Sequence, residues 1–239
     1  MSNSVNLYFS LKRKINMLDI ILDGETFDII FLTMRMTLTS TFISAVIGIP
    51  LGLWLSSARF KGKSLVVRIN RTLMATPPVV VGLVVYLVFM RSGPLGFFRL
   101  LFTFEAMVIA QVLLISPIIC GMVYTSAISR SEIIRNFAIT MGANKIQTLA
   151  LLVKELGNDI YFAVITGFGR AMSEVGAIMI VGGNIRFHTR TMTTTISMLR
   201  SRGEIEQAVF LGIILMVIAF LIQLLLDMFK QKEVSDENL

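Results

Sequence analysis

The 239-residue chain has one cysteine and one histidine, and charged residues make up only 15% of it. Each shortage removes a class of protein. Soluble domains carry about 25% charge, so a chain that is 55% hydrophobic is read as an integral membrane protein and not as a water-soluble globule. No second cysteine exists to pair with Cys120, which excludes an intrachain disulfide and leaves the redox compartment open. The lone His188 argues against a histidine-ligated metal centre, and no metal site is expected. The net charge is +7, yet Lys and Arg stand between apolar runs and form no dense stripe with interleaved aromatics, so nucleic acid is not an expected partner. A complete phosphate-binding loop is missing as well. Gly62-Lys63-Ser64 copies the tail of one, but Ser57 stands where the first glycine belongs and an apolar helix precedes it in place of a strand, leaving a positively charged turn as the plain reading. Asn70-Arg71-Thr72 fits a glycosylation sequon that falls on the predicted cytoplasmic side and carries no meaning.

What the chain does contain is apolar length. Five stretches suffice to span a bilayer: Phe31 to Ala58, Leu73 to Met90, Phe104 to Tyr124, Ile160 to Gly182 and Ala208 to Leu226. Hydrocarbon offers no partner to an open sheet edge, and the alternating pattern of a membrane barrel is absent, so the spans must be helices. The expected class is an all-α membrane protein of about five transmembrane helices, with no separate soluble domain. Residues 1–30 mix Lys12, Arg13 and Lys14 with short apolar runs and are expected to form an interfacial segment, not a signal peptide. The transmembrane part then covers 31–230, with a polar tail over 231–239. Lys and Arg divide almost evenly between the two sides, so charge alone leaves the orientation open.

Two connectors are unusual. Ser126 to Lys154 reads as one or two amphipathic helices, with Ser129 or Ser131 as N-caps and Gly142 as the break, and offers a docking surface. Asn184 to Glu204, rich in Thr and Arg, falls on the opposite side and could cover a pore mouth. Within the spans, Gly48-Ile49-Pro50-Leu51-Gly52 allows close helix approach and a bend, and Pro77-Pro78 should break or kink the second span. Arg170 and Glu174 lie in the middle of the fourth span, where each charge costs about 2.5 to 3.5 kcal/mol. Their i, i+4 spacing allows a structural ion pair; a place on a translocation path is the alternative.

The segment Asn136-Phe137-Ala138-Ile139-Thr140-Met141-Gly142, followed by Leu152, resembles the cytoplasmic EAA loop of binding-protein-dependent ABC transporter permeases. Ala138 and Gly142 match in register; Asn136 and Phe137 stand in place of Glu and Ala, Leu152 in place of Ile, and Lys154-Glu155 in place of Leu-Pro. Gly48 to Gly52, the paired prolines, and Gly169-Arg170-Ala171-Met172-Ser173-Glu174-Val175-Gly176-Ala177 through Gly182-Gly183-Asn184 resemble the molybdate, sulfate and tungstate permeases. The run ending at Ile185, with His188-Thr189-Arg190 and Met192-Thr193-Thr194, looks most like the tungstate permeases.

That resemblance, which covers about Phe31 to Lys230, implies a type I ABC importer permease fold in the cell membrane of a prokaryote. It implies a homodimer, two cytoplasmic ATPase subunits on a coupling loop at 126–155, and an extracytoplasmic oxyanion-binding protein. ATP would be used by the partner subunit, so this chain itself is expected to be no enzyme and to hold no cofactor. The loop must face the ATPase, which puts the N-terminus and Asn184 to Glu204 outside and the C-terminus in the cytoplasm. Asn136, Phe137, Ala138, Gly142 and Leu152 would couple to the ATPase. Arg170, Ser173, Glu174, Gly182, Gly183 and Asn184 would line the path or gate. Arg186, His188, Arg190, Thr193 and Thr194, with Arg200 and Arg202, would form the outer mouth and gather a dianion such as tungstate, with molybdate or sulfate as alternatives. An ion-coupled secondary transporter using Glu174 is the rival from another class; no internal repeat supports it. A membrane scaffold without a transport role is a third.

Overall fold

Two very long helices set the frame. In the computed structural model, which describes residues 24–236, α1 (Gly24–Ser57) and α4 (Phe104–Thr140) hold 34 and 37 residues. At 1.5 Å per residue they reach about 51 and 55 Å, beyond a hydrocarbon core of about 30 Å. They pack side by side because α1 turns small residues toward α4. A Cβ on Gly48 would stand 2.9 Å from the Ser116 carbonyl, and one on Gly52 would stand 2.7 Å from that of Cys120. Thr33, Thr37, Ser40 and Ser44 continue the same buried stripe. Most of the expected interfacial segment lies outside the described residues, and from Gly24 onward the chain is already α1.

Around this pair run α2 (Lys63–Met74), α3 (Pro78–Phe89), α5 (Lys145–Glu155), α6 (Gly157–Met172), α7 (Gly176–Gly182), α8 (Met192–Ser201) and α9 (Ile205–Asp236). Among the described residues there is no strand. Three helices are long and apolar enough to cross a membrane, or five if each of two bent pairs counts as one span. One bent pair is α2 with α3, at 100°. The second expected span is therefore a broken one: α2 ends at Met74, and Pro77, extended at φ −60° and ψ 131°, hands over to Pro78 at the first position of α3. The other pair is α6 with α7, bent by 58° where a single fourth span is expected.

The connector after the third span also differs from expectation. Ser129 caps nothing, since its hydroxyl donates to the Ser126 carbonyl inside α4, and neither Gly nor Pro stands between Ser129 and Gly142. The spanning helix and the first half of the connector are thus one rod. It stops at Gly142, where φ is +74° and the Ala143 amide donates to the Ala138 carbonyl at 2.9 Å. Asn144 then starts α5 through a capping box with Gln147. At the other junction, the Lys63 ammonium donates to the Ser56 and Ala58 carbonyls at 3.0 and 3.1 Å, so the phosphate-loop look-alike serves as a cap on the end of α1. Asn70 of the sequon look-alike donates to the Pro117 carbonyl at 3.1 Å and fastens α2 to α4. The helix α9 continues through the first residues of the expected polar tail, and only 6% of its apolar window is buried.

Candidate functional site

The elbow between α4 and α5 is built from the residues of the EAA-like segment. Ala138 of α4 and Leu152 of α5 are buried, while Gly142 makes the turn. Phe137 faces outward at 57% exposure, in a patch with Ile133, Met141 and Ile146. The base of the elbow is braced by Arg130, which pairs with Asp159 at 3.1 Å and donates to the Glu155 carbonyl at 3.3 Å. Asn136 borders a cavity of about 1050 Å³ between the end of α1 and the elbow, lined also by Trp54, Arg59 and Leu152.

At mid-length of the bundle lies the break between α6 and α7. Arg170 and Glu174 do pair, at 3.5 Å, but across the interruption and not on one straight helix. Glu174 is almost fully buried and Arg170 is half exposed. One carboxylate oxygen of Glu174 accepts from the Ala177 amide at 3.1 Å, so the acid caps α7, where the helix dipole favours a negative charge. From α8, the Thr193 hydroxyl donates to the Glu174 carbonyl at 2.9 Å. Ser173 is exposed beside the pair, its hydroxyl turned to the Arg170 carbonyl at 3.1 Å. A partly exposed guanidinium can offer donors to an anion.

Beyond α7, Gly182 is buried, its carbonyl accepting from Thr189, and Gly183 turns the chain at φ +70° against the Phe102 ring. Asn184 accepts from the Thr194 hydroxyl at 2.9 Å. Thr193 and Thr194, expected at the mouth, are therefore inside the protein, where Thr194 closes the capping box that starts α8. About half of the Asn184 to Glu204 connector is this helix, pinned to α1 by the Met192 amide donating to Thr33 at 2.9 Å. His188, Arg200 and Arg202 are exposed. Arg186 and Arg190 are not open charges: both pair with Glu25, Arg190 at 2.8 Å. The mouth candidates and the elbow lie at opposite ends of α1, since Glu25 meets Arg190 at one end and Arg59 pairs with Glu132 of α4 at the other.

With that geometry in place, comparison with known proteins decides the family. The profile described as "Binding-protein-dependent transport system inner membrane component" matches residues 48–234. This chain belongs to that family. Its fold is the type I ABC importer permease fold, and it is a multi-pass membrane protein. The permease is 44% identical over 200 residues to the tungstate uptake system permease protein TupB of Peptoclostridium acidaminophilum, covering 84% of this chain and 88% of the relative. It is 41% identical to a probable anion ABC transporter permease protein of Haloferax volcanii, covering 74% and 78% of the two chains. A TupB of Campylobacter jejuni is 34% identical, with 67% of each chain covered.

Two polar groups of the permease escaped the sequence reading. Glu25 sits in the stretch set aside as interfacial, and its two arginines come from the far side of the chain. Gln111 is fully buried in α4 and hydrogen-bonds to both α1 and α6. A signal for it existed, because an amide within the apolar run from Met107 to Ile115 must find partners or stay unsatisfied in a lipid-like interior.

Proposed function

We propose that this permease is the membrane subunit of an ATP-driven importer of tungstate, working as a homodimer. The observation that carries the substrate is the 44% identity, over most of both chains, to a permease named for tungstate uptake. Two ATPase subunits would seat on the exposed patch of Ile133, Phe137, Met141 and Ile146, which offers apolar area on a braced elbow. An oxyanion-binding protein would dock at the other end, near His188, Arg200 and Arg202. This places the N-terminus outside and the C-terminus in the cytoplasm, with nucleotide held by the partner and none on this chain. The break at Arg170, Ser173 and Glu174 would lie on the path, gating an anion that meets the Arg170 guanidinium.

Tungstate and molybdate are tetrahedral dianions of nearly equal size, and donors on a permease hardly separate them. Selection therefore belongs to the binding protein. Deletion of the chain should lower cellular tungsten at trace external tungstate, with any molybdenum loss smaller, as read by element-resolved mass spectrometry. Depleted molybdenum with unchanged tungsten would move the substrate to molybdate, and no change in either would sink the oxyanion reading. Uptake that persists without the ATPase partner would favour an ion-coupled transporter.

A further inference from the structure

Gln111 is fully buried at the middle of the bundle, and both ends of its amide are used. Its Nε2 donates to the Ala171 carbonyl on α6 at 2.8 Å, and its Oε1 accepts from the Ser40 hydroxyl on α1 at 2.6 Å. A carbonyl can only accept, so Ala171 fixes which way the amide faces, and the hydroxyl takes the remaining side. One side chain thereby ties three helices together.

The acceptor it holds is the one that matters for the break. In an unbroken α-helix the Ala171 carbonyl would receive the amide of Val175, and the helix would run on through Ser173 and Glu174. Here it accepts instead from the Glu174 amide at 3.3 Å and from Gln111 at 2.8 Å. A carbonyl has two lone pairs, and the shorter bond to this one comes from outside the helix. Gln111 thus supplies the better partner to a carbonyl that the Val175 amide has left, and stabilises the 58° bend between α6 and α7.

The same helix carries the elbow. From Gln111 to Thr140 α4 is one helix, roughly 43 Å long at 1.5 Å per residue, with Pro117 inside it and no loop. Its last turns bear Asn136, Phe137 and Ala138. A displacement of the elbow therefore reaches Ala171 without crossing a loop. We propose that Gln111 is the positioning residue through which α4 holds the α6–α7 break, so that movement of the elbow is passed directly to Ser173 and Glu174. The inference rests on the proposed permease mechanism for its consequence, but the link from Gln111 to the bend does not depend on the substrate.

The test uses the full complex of permease, ATPase and binding protein in proteoliposomes, on a Cys120→Ser background. Spin labels at Thr166→Cys and Ile185→Cys, both exposed positions flanking the break, report the bend as a distance. Gln111→Met keeps the length of the side chain but can neither donate nor accept strongly. It should lengthen or broaden the label distance and lower uptake about tenfold, the scale of one lost buried hydrogen bond, while ATPase recruitment is retained. Gln111→Glu can donate to Ala171 only when protonated. Relative to the parent, its label distance and uptake should therefore recover as pH falls, a profile that a merely stabilising contact would not produce. Should Gln111→Met fail to insert, the two pH states of Gln111→Glu decide the matter within one folded protein. A parental label distance in both variants at every pH overturns the proposal, whatever the uptake. If the parent complex imports no oxyanion, the functional reading fails, and the label distances still settle the role of Gln111.

Discussion

Arg190 holds the carboxylate of Glu25 at 2.8 Å, although the two residues stand 165 positions apart. Arg186 reaches the other oxygen of the same carboxylate. The clamp joins the start of α1 to the turn before α8, and so fixes the end of the bundle opposite the elbow. Glu25 and Arg190 are both mostly shielded from solvent, whereas Arg186 is largely exposed.

That difference predicts unequal costs. Glu25→Gln should destabilise the purified permease by about 2 kcal/mol, because a shielded guanidinium loses its charged partner. Arg186→Ala should cost less than about 1 kcal/mol, as exposed pairs do. Denaturation midpoints in detergent would check both, and equal shifts would show that the shielding of Arg190 has no energetic weight.

Charge exchange at the break should fail for a reason that lies in the cap. Glu174→Gln keeps an oxygen for the Ala177 amide, while Glu174→Ala removes it at a cost of about 1 kcal/mol and leaves Arg170 unpaired. The double exchange Arg170→Glu with Glu174→Arg preserves the pair but puts a group with no acceptor where α7 needs one. Uptake and thermal stability should rank Glu174→Gln above Glu174→Ala, with the double exchange unable to restore the parent. Normal uptake by the double exchange would show that the cap is dispensable.

At the elbow, turn and contact surface can be separated. Gly142→Leu places a branched side chain at φ +74°, which costs roughly 1 to 2 kcal/mol locally and should displace α5. Phe137→Ala removes an exposed ring and should leave stability unchanged. Both should reach the membrane yet lose ATPase recruitment in co-purification. Full recruitment by Phe137→Ala would remove the ring from the docking surface.

Orientation follows from two exposed positions at opposite ends of the bundle. After Cys120→Ser, a membrane-impermeant thiol reagent applied to intact cells should label His188→Cys and spare Met141→Cys. Labelling at Met141→Cys alone would invert the permease.

Much of this architecture was legible in the chain itself. Apolar length announced the spans, since a helix in lipid must satisfy its own backbone and needs about 20 apolar residues to cross. Pro77-Pro78 and Gly142 marked two interruptions, because a missing amide and a positive φ act locally. Of the break or kink expected at the first, the structure shows a break, with α2 and α3 at 100°. The continuity of α4 past Ser129 and Ser131 was harder to see, as a serine can cap a helix or bond back within one.

Local chemistry could also say that Arg170 and Glu174 need partners, but not that the helix breaks between them. No proline marks positions 173 to 175; the bend is held by Thr193, by Gln111 and by the Ala177 amide. Those partners arrive from α8, α4 and α7. The sequence by itself therefore determined the membrane class, the positions of the backbone-encoded breaks and the elbow. Tertiary structure alone decided which arginines are already paired, where the fourth span bends and which amide holds it there, because buried hydrogen bonds between residues 60 and 71 positions apart form only once helix packing brings them together.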